Sequence, residues 1–340
     1  MTSARHHAPV VESVDRRGFA SLRAEWDPLL ARSASPSPFL SWPWLSAWVD
    51  TIGSDADLQL ITARDANTGE LVGAAPCFVD HRRRLGVAVS SLRMMGAGIA
   101  GGRGLDILVD PTHPTTLAST LWDATTRDPR WDVVDLTALA ADGALATLLF
   151  RRRADRRDVH GSAASALRTD DAVPAGSPGG ESRRLVSRPL DLEETLDIMA
   201  TLTSGPQAPP LAHPALAVFH RQATHRLLDA GRLRMWRQDG PHGTTAVLYG
   251  ARFANAIAVH SILTDHPSRP VAPIITDAAC AAADEGVTEL VLPRGIDARP
   301  LPTTPVVDLS VRRPLGSKGR LFGMRGGWRL GRDEAPTDRH

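Results

Sequence analysis

A chain of 340 residues is long enough for two cores of ordinary size, since single cores stop growing near ~250 residues. With 42% hydrophobic and 23% charged residues, and no apolar run approaching the ~20 residues of a membrane span, the composition excludes a transmembrane protein. Net charge is +1, from 39 Lys+Arg against 38 Asp+Glu, which argues against a general polyanion binder even though Lys318 is the only lysine.

The opening MTSARHHAPVVESVDRRG has no apolar core ahead of a small-residue cleavage site, so the expected compartment is the cytoplasm. Phe19, Leu22, Trp26, Leu29 and Leu30 recur at helical spacing and predict an amphipathic helix over 18–32. In PSPFLSWPWLSAWVD, Ser41 suits the cap of a short helix and Pro43 its first turn, which sets Trp44 and Trp48 one turn apart on one face. Such a pair fits a core or the wall of a cleft. Residues 58–64 and 71–78 flank DANTGE as a hairpin, and 87–95 and 105–109 read as further strands. GAGIAGGRG (96–104) precedes strand-like LDILVD rather than a helix, unlike a dinucleotide-binding loop. A glycine-rich loop bordering an acceptor cleft fits better, with Arg103 and Asp106 as its polar residues. A helix over 115–126 and a short buried strand over 131–137 follow. HRRR (81–84) and RRRADRRD (151–158) lack interleaved aromatics and read as solvated turns or helix ends.

The Gly/Ser/Pro-rich stretch from Gly161 to Gly180 marks a boundary, giving domains over 1–160 and 191–330 with a linker or long loop at 161–190. Beyond it, 192–202 reads as helix, TSGPQAPPLAHP breaks the chain, and 214–230 forms a longer helix ended by Gly231. Strands follow at 232–238, 244–253 and 257–263, then the joint TDHPSRPVAP, an alanine-rich helix and a strand at 288–293. Both halves share one order: helix, helix, antiparallel strands, helix, strand. This predicts a mixed α/β (α+β) fold of two tandem similar domains, each a mostly antiparallel sheet flanked by helices.

The joint itself has two readings. A helix N-terminus with Arg269 just before it can hold phosphate oxygens, and Pro273 in the first turn leaves the amides of Ile274, Ile275 and Thr276. Pro270 and Pro273 lack donors and no glycine lets a diphosphate approach the backbone, which favours a stiff turn. Cys77 and Cys280 are too few for a disulfide framework or a thiolate zinc site, and His213, His220 and His225 miss the spacing of a helical metal pair.

HPALAVFHRQATHRLLDAGRLRMWRQDG and the strands, joint and helix after it, with PFLSWPWLSAWVDTIG, LVGAAPCFV, LRMMGAGIAGGRGLDILVDP and WDVVDLTAL upstream, resemble in order the signatures of the CelD-like (cellulose-biosynthesis-associated) acetyltransferases of the GNAT superfamily. The resemblance covers most of residues 15–296. That family is similar to the Fem-type aminoacyl transferases, which place two GNAT-like domains in one chain. The resemblance implies an N-acyltransferase that moves an acetyl or other acyl group from coenzyme A to an amine of a small molecule bound between the domains. Acetyl-CoA or another acyl-CoA is the implied co-substrate. Its arm would run along His260–Leu263, its carbonyl polarised by a backbone N–H of Ser261 or Ile262, and its diphosphate would meet Arg269, Val271, Ala272 and Ile274. An amine nucleophile must lose a proton, so His260 with Asp265 just past it are the expected catalytic pair, although a hydrogen-bonded, half-buried histidine is the other account of His260. Trp44, Trp48, Arg103 and Asp106 are the expected acceptor side. Tyr249, the only tyrosine, lies mid-strand, away from the family's C-terminal tyrosine acid. A Fem-like enzyme using aminoacyl-tRNA, docked by the arginine runs, and a degenerate pair that binds without catalysis are the alternatives. Nucleic acid enters only in the first of these, and neither a membrane nor a metal is expected.

Overall fold

Val10–Val14 forms β1, and Asp15 turns the chain into α1 (Arg16–Ser21) by accepting the Gly18 amide at 2.7 Å. The computed structural model describes residues 8–84, 87–113, 116–127, 130–152, 159–172, 182–204, 211 and 213–314. The single helix expected over 18–32 is divided at Leu22, whose amide donates to Phe19 O, so α2 (Arg23–Arg32) starts afresh. Then come α3 (Trp42–Asp50), β2 (Asp57–Arg64), β3 (Leu71–Arg84), β4 (Val87–Met94), β5 (Leu108–Val109), α4 (Thr116–Thr126), β6 (Val133–Ala140) and α5 (Ala144–Arg151). HRRR is not a turn: β3 runs through it, paired with β4 from His81↔Ser90 to Arg84↔Val87. Past Val79 this strand no longer has β2 beside it, and the side chains of His81, Arg82 and Arg83 reach water.

The second half holds β7 (Val159–Arg168), β8 (Ser182–Leu185), α6 (Pro189–Met199), β9 (Thr203–Ser204), α7 (Pro214–Asp229), β10 (Leu233–Gly240), β11 (Gly243–Phe253), β12 (Ala256–Thr264), α8 (Ala272–Asp284), β13 (Glu289–Leu292) and β14 (Thr303–Pro314). Part of the stretch read as linker is therefore paired strand in β7 and β8, and 173–181 lies outside the described residues.

The described residues divide into two compact units, one within Met1–Val49, Gly53–Ser162 and Asp308–His340, the other within Asp50–Ile52 and Ala163–Val307. In the first, strands neighbour one another in the order β1-β2-β3-β4-β6-β14, and in the second in the order β8-β10-β11-β12-β13-β7. Every pairing in these two orders is antiparallel except β4 with β6 and β12 with β13. Those two parallel pairs are joined through α4 and α8, as a parallel connection requires. The duplication read from element order is thus present, with one addition. The last strand of each order comes from outside its own repeat: β14 from the chain's end, β7 from ahead of the second repeat.

Candidate functional site

In the second unit the register of β11 with β12 runs Leu248↔Ile262, Tyr249↔Ser261 and then Gly250↔Val259, so His260 is an extra residue in a β-bulge. Gly250 permits it: a Cβ there would lie 2.7 Å from Ala258 O and 3.0 Å from Val259 Cα. The bulge breaks the alternation of side chains along the strand. Ile257, Val259 and Ile262 pack with Ile274, Ile275 and Ala278 of α8, in one apolar core. The His260 ring instead lies 4.7 Å from that of His220 on α7 and 5.2 Å from that of Tyr249, centroid to centroid. Ser261 stands opposite Tyr249 and so shares that face. Consecutive residues His260 and Ser261 therefore both turn toward α7.

His220, Tyr249 and Ser261 are buried, and His260 is half-buried. His220 is 1% exposed, and burial, with His260 beside it, holds its imidazole well below the usual histidine range. Its Nδ1 lies 3.5 Å from Tyr249 Oη, and burial pushes that phenol above its ordinary value. Ser261 is 5% exposed, and among the described residues its Oγ has no hydrogen-bond partner.

The bulge sits where two strands part. β12 pairs with β13 only from Ala256↔Glu289 to Ala258↔Val291, and β9 takes the same strand again at Leu263↔Ser204 and Thr264↔Thr203. Between those pairings, Val259–Ile262 borders an opening with β11 as its only strand neighbour among the described residues.

At the outer end, Arg269 donates from Nε to Asp265 Oδ1 at 2.5 Å and from Nη2 to Oδ2 at 2.8 Å. That guanidinium holds the Asp265 carboxyl below its ordinary value, which makes Asp265 a poor base at neutral pH, against expectation. Val271 precedes α8 with no side-chain cap, and Pro273 takes the helix's second position. The Ile275 amide is not free as expected, since it donates to Val271 O at 3.1 Å; the amides of Ala272 and Ile274 remain at the helix start. The Ile274 side chain, 1% exposed, belongs to the core beneath α8.

In the first unit, three of the four expected acceptor residues, Trp44, Trp48 and Asp106, are buried. Trp44 and Trp48 are 0% and 2% exposed, their rings 4.8 Å from Phe39 and 4.7 Å from Phe78, so they belong to a core. The glycine-rich loop closes on itself through Gly102 N–H to Gly96 O at 3.0 Å, and Arg103 O accepts Ser37 Oγ at 2.8 Å. Asp106 caps α5 from a distance: its carboxylate accepts the amides of Ala144 at 2.6 Å and Leu145 at 2.8 Å, besides that of Ile107 at 2.9 Å. Burial outweighs these three amides and pushes its carboxyl up to about 7.

A carboxyl that keeps its proton to higher pH when folded stabilises the fold fully below its unfolded value of 3.8 and loses that contribution as pH rises through about 7. The linked change is on the order of 4 kcal/mol. In Asp106→Asn the wild-type fall in melting temperature between pH 4 and 7 is expected to shrink. Melts of both proteins across that range check it; identical slopes refute it.

Among the described residues no group of three or more His, Cys, Asp or Glu is placed to hold a metal ion, and no helix is long and apolar enough to cross a membrane. Of the second arginine run, Arg152 pairs with Asp123 at 2.6 Å, and 153–158 lie outside the described residues. His220 and Tyr249 are the residues that sequence reasoning missed. The usable signal was His220 on the buried stripe of α7 with Phe219, Ala223, Thr224 and Leu227, where a histidine calls for a reason.

No family model matches the chain, and no curated protein does. Solved structures do. FemX aligns with a TM-score of 0.56 at 7% identity, over 89% of this chain and 98% of its own. A tandem GNAT protein from the clavulanic acid biosynthesis pathway aligns with a TM-score of 0.51 at 13% identity, over 91% and 99%. A conserved protein of unknown function from Bacteroides thetaiotaomicron VPI-5482 aligns at 0.50 and 11%, over 90% and 100%. The likeness spans nearly the whole of each chain and shows the fold: two GNAT-like domains in tandem.

Proposed function

We propose that the chain is an N-acyltransferase whose second unit holds an acyl donor at the opening between β12 and β13 and passes the acyl group to an amine of a small molecule. The observation that carries this reading is the bulge at His260, set where the two strands part. A bulge there sets a histidine and a serine side by side on the strand that borders the opening, which brings a base and a hydroxyl to one place. The tandem GNAT fold supports the class of reaction, and the order of sequence motifs supports a CelD-like relationship. Fold alone does not carry chemistry.

Acyl-CoA is the donor that this fold favours, and the residues fit it unevenly. The acyl end meets Val259–Ile262, His260 and Ser261. At the diphosphate end, Arg269 is engaged by Asp265, Pro273 offers no amide, and β9 holds the strand edge at Leu263 and Thr264. These three features favour, as second reading, a GNAT-like pair that binds a ligand without turnover or takes an aminoacyl ester in place of coenzyme A.

Titration with acetyl-CoA is expected to raise the melting temperature saturably, by the equivalent of about 2.7 kcal/mol at a hundredfold excess over Kd. Arg269→Ala is expected to weaken that binding about tenfold or more, the loss of a charge-assisted contact to phosphate, while costing under about 1 kcal/mol of stability as a surface pair. Absence of any shift with acetyl-CoA and longer acyl-CoAs would sink the acyl-CoA reading, and salt-sensitive binding of aminoacyl-tRNA would replace it.

A further inference from the structure

Two strands share one edge of β12. β13 pairs with Ala256–Ala258 and β9 with Leu263 and Thr264, while β11 occupies the other edge from Ala256 to Thr264. Pro293 directly follows β13 and Pro206 stands two places past β9, and proline has no amide to give a ladder. Neither strand is built to close over Val259–Ile262. β9 is the more weakly held of the two: it is two residues long and, among the described residues, β12 is its only strand partner, whereas β13 is also held by β7 from Glu289↔Arg168 to Leu292↔Ser165. The one or two backbone hydrogen bonds of so short a ladder are each of small net worth in water. The start of β9 is anchored, since Leu202 just before it is 7% exposed and donates its amide to Ile198 O at 3.2 Å, at the end of α6. With Thr203 opposite Thr264 and Ser204 opposite Leu263, the strand runs from that anchor toward the opening.

We propose that β9 is a displaceable strap: it pairs with Leu263 and Thr264 in the free protein, and a bound donor takes that edge from it, the chain turning away beyond Leu202. The inference rests on the acyl-donor reading above. A donor with its acyl end at Val259–Ile262 and its anionic end at Arg269 or the first amides of α8 passes Leu263 and Thr264 on the way. β11 already fills one edge of those two residues, so the donor and β9 compete for the other. One edge cannot pair with both. The free energy of releasing the strap is subtracted from that of donor binding, so the apparent affinity is set by how firmly β9 holds. The feature that fits an acyl donor worst thereby becomes the regulation of its site, and it ties donor binding to the end of α6, where the strap is anchored.

The test uses the full chain with acetyl-CoA. Hydrogen–deuterium exchange, read by mass spectrometry on peptides covering 200–204 and 257–264, is expected to quicken in the first and slow in the second when acetyl-CoA saturates the protein. The double variant Thr203→Pro with Ser204→Pro removes both amides of β9, and calorimetric titration is expected to show it binding acetyl-CoA about 3–10-fold more tightly than the wild type. Exchange over 200–204 that slows or stays the same in the bound wild type would overturn the strap, by showing that β9 keeps its pairing, and this measurement stands even if the variant fails to fold. Affinity in a folded variant equal to or below that of the wild type would overturn it as well and leave acyl-CoA binding standing. Binding to the variant alone would support a strap firm enough to close the site. No binding of acetyl-CoA to either protein would overturn the acyl-CoA reading itself, and this inference with it.

Discussion

His260→Ala is expected to lower acyl transfer by about 10²–10⁴-fold while acetyl-CoA still binds. On the acyl-transfer reading proposed above, an amine acceptor arrives largely protonated and must give up a proton before or during attack. Asp265 is held below its ordinary value by Arg269, and Tyr249 is held above its own by burial, so neither serves near neutral pH. His260 is the half-buried imidazole at the opening, beside a neutral His220. His260→Gln preserves much of the volume against His220 and Tyr249 and separates lost chemistry from lost packing. Both variants are expected to lose the limb of the rate-against-pH curve that reports the base. Wild-type rates in His260→Ala would mean that the proton leaves by another route and that the histidine only packs.

Trp44→Ala is expected to destabilise the first unit by about 3–5 kcal/mol, a large share of the stability of an ordinary domain. The Trp44 ring is wholly buried and meets Phe39 at a steep interplanar angle of 68°, so its loss removes apolar burial and an aromatic contact together. Urea unfolding followed by circular dichroism should show the midpoint move with no effect of acyl-CoA concentration on the difference. A loss below about 1 kcal/mol, with altered substrate affinity instead, would return Trp44 to the wall of a binding cleft.

The elements that sequence patterns made legible are those governed by neighbours along the chain. Gly231 just past its end marks α7, glycine and proline mark the ends of the second unit's strands, and the repeated element order exposed the duplication. The helices' apolar stripes also favoured a core for Trp44 and Trp48, one of the two readings their spacing allowed. What stayed hidden depends on partners far away. The bulge at His260 exists because Gly250 on the adjacent strand lets two backbones approach, and nothing within SILT announces it. His220 lies 40 positions before His260 and meets it only once α7 packs on the sheet. Asp106 looked like a loop residue because the helix it caps begins at Ala144, and Gly143, the residue at that helix's own cap position, has no side chain to do the work. The strand β14 was missed since Pro305 and Pro314 lie within it and its pairing partner is β6, from Asp308↔Ala140 onward.

That last pairing has a bearing on how the protein is made. A ribosome delivers Val133–Ala140 long before Thr303–Pro314, so the first unit leaves its sheet one strand short throughout synthesis of the second. Until the final segment emerges, the edge of β6 is exposed and able to pair with the wrong chain. Of the two units, the earlier to be translated is thereby the later to be finished, and its completion is tied to synthesis of the other.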